Sequence, residues 1–73
     1  MKASNHAHRR WMERFPRLEM AQEYAVSQPL GQRRKRQMGI AQWRSARLSR
    51  SGAIFVVDGG VIVTVLNLPR HIR

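Results

Sequence analysis

Seventy-three residues with no cysteine make one small domain, 1–73, whose core neither disulfides nor thiolate-bound zinc can reinforce. Fourteen basic residues, twelve of them arginine, stand against four acids, and the net charge of +10 points to a polyanionic partner. Arginine grips phosphate bidentately and stacks on bases, which favours nucleic acid over lipid; no apolar run approaches the ~18 residues of a membrane span, and no signal-peptide segment follows the basic amino end, so a cytoplasmic protein without a membrane role is expected.

Residues 1–4 read as a loose tail, and Ser4 or Asn5 can cap a helix by accepting from a free first-turn amide. That helix runs to Arg14 or Phe15, because Pro16 disfavours helix in the residue before it. Ala7, Trp11 and Phe15, spaced by four with Met12 beside them, form its core stripe. A second helix fits 18–27, with Met20, Ala21, Tyr24 and Ala25 inward and Glu19, Gln22 and Glu23 facing water; Pro29 and Gly31 end this helical part, 5–28.

The segment 32–41 is a basic connector, either a flexible loop or the ragged lead-in to a strand. Residues 42–49 alternate weakly as a strand, with Trp43, Ser45 and Arg47 on one side and Arg44, Ala46 and Leu48 on the other. Arg50-Ser51-Gly52 is turn chemistry, and the β-branched runs 53–57 and 61–66 join through Asp58-Gly59-Gly60 as a hairpin. The expected fold is α+β: two N-terminal helices packed on a three-stranded antiparallel β-meander over 42–67.

A tight hairpin turn would set Phe55, Val57, Ile62, Thr64 and Leu66 on one face. Ile54, Val56, Val61, Val63 and Val65 would then form an aliphatic floor for the helices. Two short helices cover one face, so Phe55, Val57, Ile62 and Leu66 would be left as an apolar patch for a dimer or partner.

Charge is placed unevenly. Glu13, Glu19 and Glu23 lie in the first third, and Asp58 is the fourth acid. Between residues 31 and 52 there are seven basic residues, Arg33, Arg34, Lys35, Arg36, Arg44, Arg47 and Arg50, and no acid. These are the candidate nucleic-acid contacts. If all seven reach phosphates, the log–log salt slope of binding is roughly −5 on single strands and −6 on duplex.

Chemistry is offered by His6, Arg10 and Arg14, which at i, i+4 and i+8 stack along one helix face, and by Thr64, the polar residue in an aliphatic strand. Metal-free cleavage of RNA needs a base for the 2′-hydroxyl, an acid for the leaving oxygen and positive charge for the pentacoordinate phosphate. Histidine suits the first roles, the two guanidiniums the last, and Thr64 can hold a non-bridging oxygen. The same residues also suit a plain basic surface with no catalysis. His6 and His8 do not form a metal pair, since i and i+2 point apart on a helix, so neither a metal nor another cofactor is expected. His71 stands near the end of the chain.

The opening His6-Ala7-His8-Arg9-Arg10-Trp11-Met12-Glu13-Arg14 resembles the His-Ala-x-x-Arg-apolar-x-x-Arg start of a group of small bacterial and phage proteins. Their closing apolar-Val-Thr-Val-Leu strand is matched by Ile62-Val63-Thr64-Val65-Leu66, and Gln42-Trp43-Arg44 resembles the Trp-Arg start of their first strand. In layout they are similar to the barnase–colicin–RelE class of toxin ribonucleases. The resemblance implies a RelE-like domain with His6, Arg10, Arg14 and Thr64 as the catalytic set and Arg44 as an addition.

Three functions follow as expectations: a metal-independent toxin-type endoribonuclease acting on RNA, a non-catalytic nucleic-acid binder, and a phage-type inhibitor that docks on an acidic host protein. The corresponding partners are RNA, an acidic antitoxin or host protein, and a second copy through the apolar sheet face.

Overall fold

The computed structural model describes residues 1–69; His71 and the rest of the polar end lie outside them. The chain runs β1 (Lys2–Ala3), α1 (Asn5–Arg14), α2 (Met20–Ala25), β2 (Gln28–Pro29), α3 (Gln32–Gln37), β3 (Ser45–Leu48), β4 (Ala53–Asp58) and β5 (Val61–Asn67). The α+β class holds, with three helices and a five-stranded mixed sheet in place of two helices and three strands. In the order β1-β5-β4-β3-β2, the expected antiparallel meander is the middle of the sheet.

The additions are two-residue edge strands. Lys2 and Ala3, expected as loose tail, pair in parallel with Val61 and Ile62. Gln28 and Pro29 pair antiparallel with Leu48 and Arg47, and an edge position is where a sheet tolerates a residue with no amide donor. Neither strand carries enough alternation to be seen in sequence.

The basic connector is also ordered. Gln32–Gln37 is a helix, closed by Gly39 at φ 72°. The Gly39 amide donates to Arg36 and the Ile40 amide to Lys35, a Schellman closure that needs a left-handed residue at the glycine. Three basic residues in its last turn, Arg34, Lys35 and Arg36, complement the negative end of the helix.

The hairpin turn is Gly59-Gly60, with φ of 58° and 80°, and Asp58 faces Val61. Both central residues need positive φ, as a primed two-residue turn demands. The register then shifts: Val57 opposes Ile62 but Val56 opposes Thr64, so Val63 is the extra residue of a β-bulge. The faces expected from an uninterrupted hairpin are therefore wrong beyond the bulge. Phe55 now opposes Val65 and Ile54 opposes Leu66.

Each face has its own core. Ala7, Trp11 and Met20 from α1 and the start of α2 bury Ala53, Phe55, Ile62 and Val65. The helix floor is thus the Phe55 face, not the aliphatic one. On the opposite face Leu30, Ala46 and Ile54 are buried, with Met38, Ile40, Leu48 and Leu66 packed against them. Phe55 and Ile62 are fully buried, so the expected leftover apolar patch, and with it the basis for a dimer through that face, is absent. Among the described residues no helix is long and apolar enough to cross a membrane.

Candidate nucleic-acid interface

Ser4 joins α1 to the bulge. Its hydroxyl accepts from the Ala7 amide at 3.1 Å, capping the helix, and donates to the Val63 carbonyl at 3.1 Å. At the other end of α1, Arg14 Nη1 donates to the Val65 carbonyl at 2.9 Å. Those two carbonyls are two residues apart on β5, about 7 Å at the rise of a strand. The amino end of α1 and the head group of Arg14 therefore meet the same stretch of strand, because helical side chains lean back toward the amino end.

The rest of the row does not follow. A helix turns about 100° per residue, so positions eight apart are offset by about 80°. Arg14 reaches the sheet, Arg10 is half-exposed beside Glu13 at 3.4 Å, and His6 stands in solvent. His8 lies on the other flank of α1, beside Met12 and Met20.

Thr64 faces the other way. Its neighbour Val65 is buried under α1, and strand alternation sends Thr64 to the α3 side. There it lines a depression of about 220 Å³ with Met38, Ile40, Arg44, Val56 and Leu66. The structure thus brings Thr64 together with Arg44, brings Arg14 to the adjacent carbonyl of the same strand, and leaves His6 and Arg10 on the solvent side of α1.

Arg44 is held by an ion pair and by stacking rather than by a hydrogen bond at Nε. Asp58 Oδ2 stands 3.9 Å from its Nε, beyond hydrogen-bond reach, and that nitrogen has no partner among the described residues. The guanidinium lies 4.7 Å from the centre of the Trp43 ring, and Trp43 is 70% exposed.

The seven-residue basic set divides by role. Lys35 is buried, with Nζ donating to the carbonyls of Gln42 and Arg44. Arg47 donates to the hydroxyl and carbonyl of Ser27 and lies over the Tyr24 ring. Lys35 is buried and Arg47 half-buried, and each puts two donors on protein oxygens, so both act as structural clamps. Arg33 and Arg36 are exposed on α3, while Arg34 and Arg50 line a cleft beside β2. Arg33, Arg34, Arg36, Arg44 and Arg50 are the other five candidates of this set for phosphate contact.

Trp43 and Ser4 lie outside the expected site set. Trp43, expected as one member of a strand, lies before β3; Ser4, expected as a helix cap, also ties α1 to the sheet. No three His, Asp or Glu side chains cluster to hold a metal among the described residues.

A comparison by sequence gives the family of this chain. The model of the family described as "Putative RelE superfamily toxin domain" matches residues 3–69. The chain belongs to that family. The match takes in α1, the hairpin and His6, Arg10, Arg14, Arg44 and Thr64, so the toxin domain covers the described fold from Ala3 onward. Searches of curated proteins and of solved structures returned no match.

Proposed function

We propose that this RelE-superfamily toxin domain acts on RNA as a metal-independent endoribonuclease, with the scissile phosphate at the edge of β5. One observation carries this: two guanidiniums attend one strand from its two sides. Arg14 reaches the Val65 carbonyl from the α1 side, and Arg44 shares a depression with Thr64 on the other. Such an arrangement supplies positive charge and a hydroxyl donor to a developing pentacoordinate phosphate. His6, exposed near the amino end of α1, is the base that takes the 2′-hydroxyl proton of a strand laid along the helix, Arg10 contacts the backbone between them, and solvent water protonates the leaving 5′-oxygen. An acidic antitoxin that covers the same cations is the protein partner.

The test is incubation with labelled single-stranded RNA, with and without chelator, beside the His6→Ala variant. Cleavage should persist in chelator and leave a 2′,3′-cyclic phosphate, and His6→Ala should slow it ~10²–10⁴-fold with the fold intact. Chelator-sensitive cleavage, or an unchanged rate in the variant, overturns the assignment.

A second reading is a non-catalytic RNA binder. It is favoured by the exposure of His6 and by Thr64 facing away from α1. It predicts binding without cleavage and a log–log salt slope of roughly −3.5 on single strands, at 0.7 for each of five phosphate contacts.

A further inference from the structure

We propose that Trp43 is a stacking platform for an unpaired base, so that the RNA held at the Arg44–Thr64 depression is single-stranded. This rests on the RNA reading above and names its substrate class. Tryptophan is among the more buried residue types on average, and the chain's other one, Trp11, is 3% exposed against 70% for Trp43. An exposed indole beside a strongly basic surface therefore has to be explained.

Its placement is built. Lys35, buried on α3, binds the carbonyls of Gln42 and Arg44, the residues on either side of Trp43. The Arg44 amide donates to Ala41 at 3.1 Å and closes the turn that carries the ring. One ammonium thus ties the backbone on both sides of the indole, so its exposure belongs to an ordered turn. The Arg44 guanidinium sits 4.7 Å from the ring centre, which leaves most of the ring surface to solvent.

The chemistry matches one nucleotide and the phosphate beside it. A base has a π-face whatever its identity, so an indole holds it without reading sequence. Arg44, with a side chain 37% exposed and no hydrogen bond at Nε, offers its terminal nitrogens to the adjoining phosphate, and Thr64 lines the same depression. Bases stacked within an A-form duplex present no free face to a lone ring. Single strands are the ligand that this pair of side chains distinguishes.

The experiment titrates tryptophan fluorescence with a short 2′-O-methyl oligonucleotide of mixed sequence, and with the same strand annealed to its complement. The missing 2′-hydroxyl makes the reading independent of cleavage. The single strand should quench the wild-type protein and the duplex should not. Trp43→Ala should weaken single-strand binding roughly 5- to 150-fold, Trp43→Phe should recover most of it, and both variants should keep the wild-type circular dichroism. Equal binding of single strand and duplex, unchanged by Trp43→Ala, overturns the proposal and leaves the indole to a protein partner. Quenching without RNA cleavage removes the nuclease assignment and keeps the stacking platform. Cleavage without quenching does the reverse, and binding of neither probe sinks both.

Discussion

The two faces of the sheet are built from similar residues put to different use. On the α1 side, Trp11 stacks on Phe55 at 5.6 Å and meets Phe15 at 4.8 Å, while Tyr24 meets Phe55 edge-on at 5.3 Å. The indole N–H of Trp11 is spent on the Leu18 carbonyl at 2.8 Å, and Arg47 is tied to Ser27. On the α3 side the filling is aliphatic, the indole of Trp43 faces solvent, and Arg44 lacks a hydrogen bond at Nε. One face spends its aromatic rings and polar donors on the fold. The other leaves the Trp43 ring exposed and Arg44 without a hydrogen bond at Nε, although Lys35 is spent there on two carbonyls. Residue type alone does not separate the two roles; what separates them is whether each donor and each ring already has a partner.

That contrast can be broken most severely at Trp11. Replacing it with alanine removes the centre of the aromatic stack and should cost ~3–5 kcal/mol, a large share of the roughly 5–10 kcal/mol of a domain this size. Urea denaturation measures it, and Trp43→Ala in the same assay should leave the midpoint nearly unchanged. If both cost the same, the faces do not differ as described.

Lys35→Ala should come next. It strips the carbonyls of Gln42 and Arg44 of their buried donor, at about 1–3 kcal/mol. Faster amide exchange confined to residues 38–44 would locate the damage. Ser4→Ala removes both the cap of α1 and the tie to the bulge, and should cost about 1 kcal/mol. Thermal melting reads this as a drop of roughly 4–8 °C. The smallest effect belongs to Arg36→Ala on the exposed face of α3. Its melting point should not move, while the log–log salt slope for single-stranded RNA becomes shallower by about 0.7.

Much of the fold was legible in local pattern. The stripe Ala7, Trp11, Phe15 and the stop at Pro16 mark α1, and Asp58-Gly59-Gly60 between β-branched runs marks the hairpin. These signals are local because the same few residues both carry the pattern and form the element. The third helix was missed because Gln32–Gln37 has no apolar period. Its available signal was the end: helix-forming residues followed by Gly39 and Ile40, a C-terminal closure. Of the candidate site, the structure groups Arg44 with Thr64 and brings Arg14 to the same strand, a grouping not visible in local sequence, while Lys35 and Arg47, expected as nucleic-acid contacts, donate to protein oxygens.

The amino-acid sequence by itself determined the basic character, the α+β class, the first helix, the central three strands and the family motifs, since composition and short-range periodicity suffice for these. Tertiary structure alone decided which face of the hairpin lies under α1, where Thr64 points and which cations stay free. The physical reason is one inserted residue: the bulge at Val63 reverses the alternation of β5 beyond it, and it is held by a carbonyl contact to Ser4, 59 positions away along the chain. Pairing across such a separation leaves no trace in local sequence, and the assignment of β5 side chains beyond the bulge to faces depends on it.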